Sequence, residues 1–280
     1  MSHLMGGLAT SHVPAIGGAI AKGLQNDPYW KPFFDGFTMA HEWLDEMEPD
    51  TAVIFYNDHG LNFFLDAMPT FAVGAAREYQ TGDEGWGIPV LKPFPGDADL
   101  SWHIINHLVA DEFDITTCQS MTVDHALTIP YSLFWPGESR PVRIVPIAIN
   151  TVQHPLPSAR RCFALGRSVG RAIASYREAR KVVVIGTGGL SHQLDGKRAG
   201  FINKAFDLHC LEKIVHQPTA LIDYSSIELI AEAGAQGVEF LMWLAMRGAL
   251  GGAVSLVHRN YHIPISNTAA GMIVLNHHPT

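Results

Sequence analysis

Short apolar runs recur along this chain and break off at polar clusters. The clearest is Ala52-Val53-Ile54-Phe55-Tyr56, which ends at Asn57-Asp58-His59-Gly60. A run of that length, β-branched and aromatic without alternation, predicts a strand buried on both faces, and Gly60 lets the backbone turn away. In open α/β folds chemistry collects at the carboxyl edge of such strands, so Asn57, Asp58 and His59 are expected there together. Residues 4–10 run in the same way into Ser11-His12-Val13-Pro14, where Pro14 excludes helical geometry and places His12 on a strand-end loop. Val182-Val183-Val184-Ile185 runs into Gly186-Thr187-Gly188-Gly189 and delivers Ser191-His192. A single loop histidine is ordinarily a solvated bystander. Three on the same kind of loop point to a site.

Helical spacing predicts a helix over 29–48, with Phe33, Phe37, Ala40, Trp43, Leu44 and Met47 on one side. Further helices are expected at 100–110, 162–176, 202–211, 225–235 and 237–250, and strands near 70–73, 114–119 and 142–150. Residues 61–99 are rich in aromatics, Gly and Pro and read as a long loop region, a length that usually marks a lid or binding surface. The expected fold is α/β: one domain over 1–280, with a central mixed sheet flanked by helices and the active site at strand ends.

Composition narrows the function classes. Hydrophobic content of 47% supplies a sizeable core, and a net charge of −8 without clustered Lys or Arg argues against nucleic-acid or anionic-membrane partners. Cys118, Cys162 and Cys210 lie far apart, a reduced, intracellular pattern. The first 21 residues are uncharged but lack a basic leader, and no run of 18 apolar residues occurs, so the expectation is a cytoplasmic protein without a membrane span.

Most of the fifteen histidines must be bystanders. His41 lies on the 29–48 helix and reads as structural. His103 and His107 are spaced for a metal, but no carboxylate of the H-E-x-x-H kind accompanies them. The glycines at 186–189 miss the dinucleotide fingerprint, because Ser191 stands where its third glycine would be. They are better read as bringing backbone close beside a site. Glu239 lies in the first turn of an otherwise greasy helix, where a carboxylate must be paired, protonated or bound to a cation; Arg247 is the pairing alternative. Two strand-end histidines and one buried carboxylate make the ligand set of a 2-His-1-carboxylate ferrous site. His125 and His192 arrive on similar loops and suit proton traffic near neutral pH.

Taken as a set, Thr10-Ser11-His12-Val13-Pro14-Ala15-Ile16-Gly17, Tyr56-Asn57-Asp58-His59, Val123-Asp124-His125, Gly186 to Leu194, Gly237 onward, Asp83-Glu84-Gly85-Trp86-Gly87 and Ser266-Asn267-Thr268 resemble the class III extradiol ring-cleavage dioxygenases. The likeness is greatest to β (catalytic) subunits of the protocatechuate 4,5-dioxygenase kind and runs from about Gly7 to Leu275. It implies Fe(II) held by His12, His59 and Glu239, His192 as catalytic base, His125 beside substrate and oxygen, and Ser266 and Asn57 as substrate contacts. It implies a catecholic substrate and O2, with protocatechuate, gallate and 3-O-methylgallate as alternatives, and a smaller α subunit in a hetero-oligomer. The Phe, Trp, Pro and Gly content of 61–99 suits such an interface. The chain stops at Thr280, whereas related β subunits often carry a longer tail, a departure that touches substrate-closing elements and not the metal site. Rival readings are a zinc hydrolase using the same pocket and a non-catalytic binding protein of the same fold.

Overall fold

In the computed structural model, residues 2–137, 142–265 and 267–278 are described. The strands are β1 (His3–Thr10), β2 (Thr51–Tyr56), β3 (Phe71–Gly74), β4 (Glu78–Thr81), β5 (Phe94–Pro95), β6 (Thr116–Cys118), β7 (Thr122–Val123), β8 (Arg143–Ile149), β9 (Lys181–Thr187), β10 (Val254–Ile265) and β11 (Thr268–His277). The α-helices are α1 (Pro14–Ala21), α2 (Lys31–Asp35), α3 (Thr38–Met47), α4 (Ala98–Ala110), α5 (His125–Phe134), α6 (Ala159–Ser175), α7 (Lys204–His216), α8 (Ser226–Ala233) and α9 (Phe240–Ala249).

Eight strands form one mixed sheet in the order β10-β11-β1-β9-β2-β8-β3-β6. All six residues of β2 are buried, as a strand covered on both faces requires. One face packs Val53, Phe55, Val182 and Val184 against the apolar sides of α4, α6 and α9. The other packs Ala52, Ile54, Val183 and Ile185 with Phe33, Phe37, Trp43 and Leu127 from α2, α3 and α5. The middle strands β1, β9, β2 and β8 are parallel. Thr10 is in register with Thr187, and Phe55 with Gly186, so β1, β9 and β2 end almost level, with β9 in the middle.

The structure departs from the sequence expectation in three places. The helix expected over 29–48 is two helices, α2 and α3, parted at Gly36. There β10 comes so close that a Cβ on Gly36 would overlap the Asn260 side chain, and His258 Nε2 meets the Gly36 carbonyl at 3.1 Å. Helices α1 and α5 were not expected. Asp124 caps α5, its carboxylate accepting the Ala126 N–H at 3.0 Å. The antiparallel hairpin β10–β11 was not expected either, yet it forms one end of the sheet and joins it through β1. Within 61–99 the loop is broken by β3, and by β4 and β5 of a small three-stranded sheet completed by β7.

Candidate active site

The level ends of β1, β2 and β9 bring together the residues that local pattern singled out. His12 follows β1 and is buried; its Nε2 lies 3.3 Å from Glu239 Oε2. His59 follows β2 and turns Nε2 toward Glu239 Oε1 at 3.8 Å. The two imidazoles meet edge to face at 5.4 Å between centroids. Glu239, 6% exposed, stands at the junction of a 3₁₀ turn (Gly237–Glu239) and α9, so the end of β9 and the start of α9 close on one point. Close approach there depends on Gly188, which has φ +85°; a Cβ would lie 2.6 Å from Glu239 Cβ and 2.7 Å from its Oε2. The expected glycine role is thus localised to one contact.

Arg247 is not the partner of Glu239. Its guanidinium donates to the carbonyls of Ile214, Gly251 and Gly252 at the other end of α9. Glu239 instead accepts the Asn57 amide at 3.2 Å and the Gly189 N–H at 3.4 Å. Burial alone would raise the Glu239 carboxyl, but the adjoining His12 and His59 rings outweigh it and hold it well below the ordinary range. Burial likewise opposes charge on His59, yet the Asp124 and Glu239 carboxylates push its pKa up to about 10. His12 is lowered by burial, against the pull of Glu239.

Each of two histidines is gripped from behind by a carboxylate at both Nδ1 and its own backbone N–H. Asp124 Oδ2 takes His59 N at 2.7 Å and Nδ1 at 3.0 Å. Glu84 takes His125 N and Nδ1, both at 2.7 Å. The Nδ1–H tautomer that these contacts favour leaves Nε2 as the free donor atom. His125 begins α5 and stacks on His59 at 4.2 Å, 30° from parallel. Ligand atoms of His12, His59 and His125 lie within 4.8 Å of one another, as do those of His59, Glu84, Asp124 and His125.

The donor set fits a divalent transition metal. Nitrogens and carboxylate oxygens sharing one such ion at about 2.0–2.2 Å come to lie roughly 3 Å apart, close to the 3.3 and 3.8 Å separations here. Three carboxylates, Glu239, Asp124 and Glu84, face imidazoles in a largely buried space. Excess negative charge there calls for a cation. Two imidazoles and one carboxylate are the mixed donor set suited to iron of this class.

His192 is delivered differently. It bridges to Thr268 of β11, its N–H donates to the Ala233 carbonyl at 2.7 Å, and burial lowers its pKa. Among the described residues its Nε2 has no hydrogen-bond partner, nor have Asn57 Oδ1 and Thr268 Oγ1. Unmet buried polar atoms are costly unless a ligand satisfies them. Ser266 lies outside the described residues. Asn57, expected as a substrate contact, places its amide 3.1 Å from His59 Nε2 as well as on Glu239, so its Oδ1 alone is left to face a ligand.

The remaining histidines considered from sequence lie elsewhere. His41 Nε2 meets the Leu133 carbonyl at 2.7 Å, His103 pairs with the Ala172 carbonyl and Ser175, and His107 faces Asp111. A groove of about 690 Å³, walled by Phe34, Phe37, Phe94, Tyr131 and Trp135, touches none of the converging residues. Sequence reasoning assigned no role to Asp124 and Glu84, although both stood inside quoted motifs; Asp124 carried only the signal of a helix cap.

Comparison with known proteins agrees with this geometry. The family model described as the catalytic LigB subunit of aromatic ring-opening dioxygenase matches residues 6–271. A gallate dioxygenase of Pseudomonas putida is 40% identical over 195 residues, 69% of this chain and 57% of the relative. A 2,3-dihydroxyphenylpropionate/2,3-dihydroxicinnamic acid 1,2-dioxygenase of Rhodococcus jostii is 34% identical over 185 residues, 65% of this chain and 54% of the relative. The chain spans little more than half the length of these two curated relatives. The solved structure of the uncharacterized protein JW3007 from Escherichia coli K12 shares the fold, with a TM-score of 0.57 at 13% identity over 96% of this chain and 99% of that one.

Proposed function

The chain belongs to the family of catalytic LigB subunits of aromatic ring-opening dioxygenases, and on that premise we propose that residues 1–280 form an extradiol dioxygenase domain that opens a carboxylated catechol with O2. The observation that carries the proposal is the meeting of His12, His59 and Glu239 beside His192, whose Nε2 is unpartnered. His12, His59 and Glu239 would hold Fe(II). Ferrous iron, when bound, supplies the route by which catechol electrons reach dioxygen. Asp124 fixes the His59 tautomer, and Asn57 steadies the Glu239 carboxylate.

His192, kept neutral by burial, accepts a phenolic proton at Nε2 as the catechol settles and can return it when the ring opens. His125, held at Nδ1 by Glu84, presents Nε2 on the same side and orients substrate and oxygen. Ring opening next to the diol, the 4,5-type for protocatechuate, gives a hydroxymuconic semialdehyde. The sequence reading puts protocatechuate first, while the 40% identity to a gallate dioxygenase supports gallate; 3-O-methylgallate is the third member of the same class.

A smaller α subunit is part of the proposal. Phe71, Tyr79 and Phe94 fold back into the core, but Phe64 is 58% and Trp86 63% exposed near the His59 and His125 side of the site. Apolar side chains so placed suit a second chain closing the pocket. The deciding experiment is turnover of these three catechols under air by protein reconstituted with Fe(II) or Zn(II), followed by ring-fission spectra. Yellow ring-fission product with iron alone is expected. Equal hydrolytic activity with zinc and no oxygen uptake with iron would overturn the reading.

A further inference from the structure

The buried carboxylate of Asp207 lies outside the histidine cluster, is 1% exposed, and has no part in the chemistry above. Its Oδ1 accepts both the Ser191 N–H at 2.9 Å and the Ser191 hydroxyl at 2.8 Å. Its Oδ2 accepts the Tyr261 hydroxyl at 2.8 Å. Ser191 Oγ in turn receives the Asn203 N–H at 3.0 Å, at the cap of α7. One carboxylate therefore ties three elements: the residue just before His192, the first turns of α7, and β10 of the hairpin whose tip carries Asn267. Burial pushes this carboxyl up, against the hydrogen bonds from Ser191 and Tyr261. A purely structural need would be met at lower cost by an apolar side chain in the same space.

Building on the acid–base reading of His192, we infer that Asp207 is a positioning residue that sets the His192 imidazole and the β10–β11 tip as one unit. The imidazole itself is fixed only by its backbone: its N–H on Ala233, its carbonyl receiving the Gln236 and Gly237 N–H groups at 3.1 Å, and the bridge to Thr268. No side chain among the described residues holds Nε2. The ring direction thus depends on the backbone of Ser191, and that backbone is clamped by Asp207. Displacement of a reacting group by about 1 Å can cost on the order of 10²-fold in rate.

The test uses the iron-loaded protein with gallate and protocatechuate. Asp207→Asn keeps volume and one acceptor but cannot accept the Tyr261 hydroxyl at its amide nitrogen. It should keep iron content and anaerobic substrate affinity within about twofold, while kcat falls roughly 10–10²-fold. Tyr261→Phe should give a smaller fall of the same kind, and it carries the test if Asp207→Asn does not fold. In a His192→Ala background neither change should lower kcat further. Losses that multiply with His192→Ala, or that appear in iron content or affinity instead of kcat, would overturn the positioning role while leaving the His192 reading intact. Normal turnover by His192→Ala alone would remove that reading and this inference together.

Discussion

The two sides of the site are built on opposite plans. On the His12, His59 and Glu239 side the key side chains are held by others: Asp124 behind His59, and Asn57 and the Gly189 N–H on Glu239. On the His192 side the imidazole is placed by backbone alone and its Nε2 is left free. The difference follows from what each must do. A metal ligand needs a lone pair fixed in tautomer and direction, which a carboxylate behind Nδ1 ensures. A proton-transfer group must gain and lose a proton within one turnover, and a strong partner on its working nitrogen would hold it in one state.

Removing the held side should do the most damage. His12→Ala, His59→Ala and Glu239→Ala are each expected to lose iron and all measurable turnover together, read by metal analysis beside an oxygen-uptake assay. Undiminished iron in a folded variant would remove that residue from the ligand set. His192→Ala tests the other side. It should retain iron and bind catechol while turnover drops roughly 10²–10⁴-fold. Equal loss of metal would erase the contrast between the two sides.

Asp124→Asn probes the support and not the ligand. Iron affinity should weaken about 10–100-fold, measured by competition with a chelator, with kcat at saturating iron changed far less. An unchanged affinity would show that the doubly held His59 needs no anionic backing. The smallest expected effect is that of Gly188→Ala. A left-handed backbone costs a non-glycine residue about 1–2 kcal/mol, and the added methyl would press on Glu239. A lowered melting temperature should therefore accompany weaker iron binding, whereas the same substitution at Gly196, with open space around it, should affect stability alone.

Much of the site was legible because its signals are local. A buried parallel strand must be apolar throughout and must stop at its polar end, so His12, His59 and His192 announced themselves at the ends of β1, β2 and β9. Glu239 stood out as a carboxylate in a helix buried nearly all round. Exposed Phe64 and Trp86, read as interface residues, and buried Phe71, Tyr79 and Phe94, equally aromatic, could not be told apart by composition. Their fate depends on which way each short strand of 61–99 faces.

The sequence by itself determined an α/β core and which residue types reach its carboxyl edge, since hydrophobic period and abrupt polar stops are properties of neighbouring positions. Only the tertiary structure decided that β9 lies between β1 and β2, which is why residues far apart in the chain meet. It also decided the backers. Asp124 supports a histidine 65 positions earlier and Glu84 one 41 positions later, while Asp207 reaches both Ser191 and a tyrosine 54 positions on. The β10–β11 hairpin escaped notice because its residues alternate between polar and apolar as its half-exposed end position demands, and Asn260 and His258 broke the 29–48 helix from across the fold. Such contacts depend on strand order and register, and no short-range periodicity encodes either.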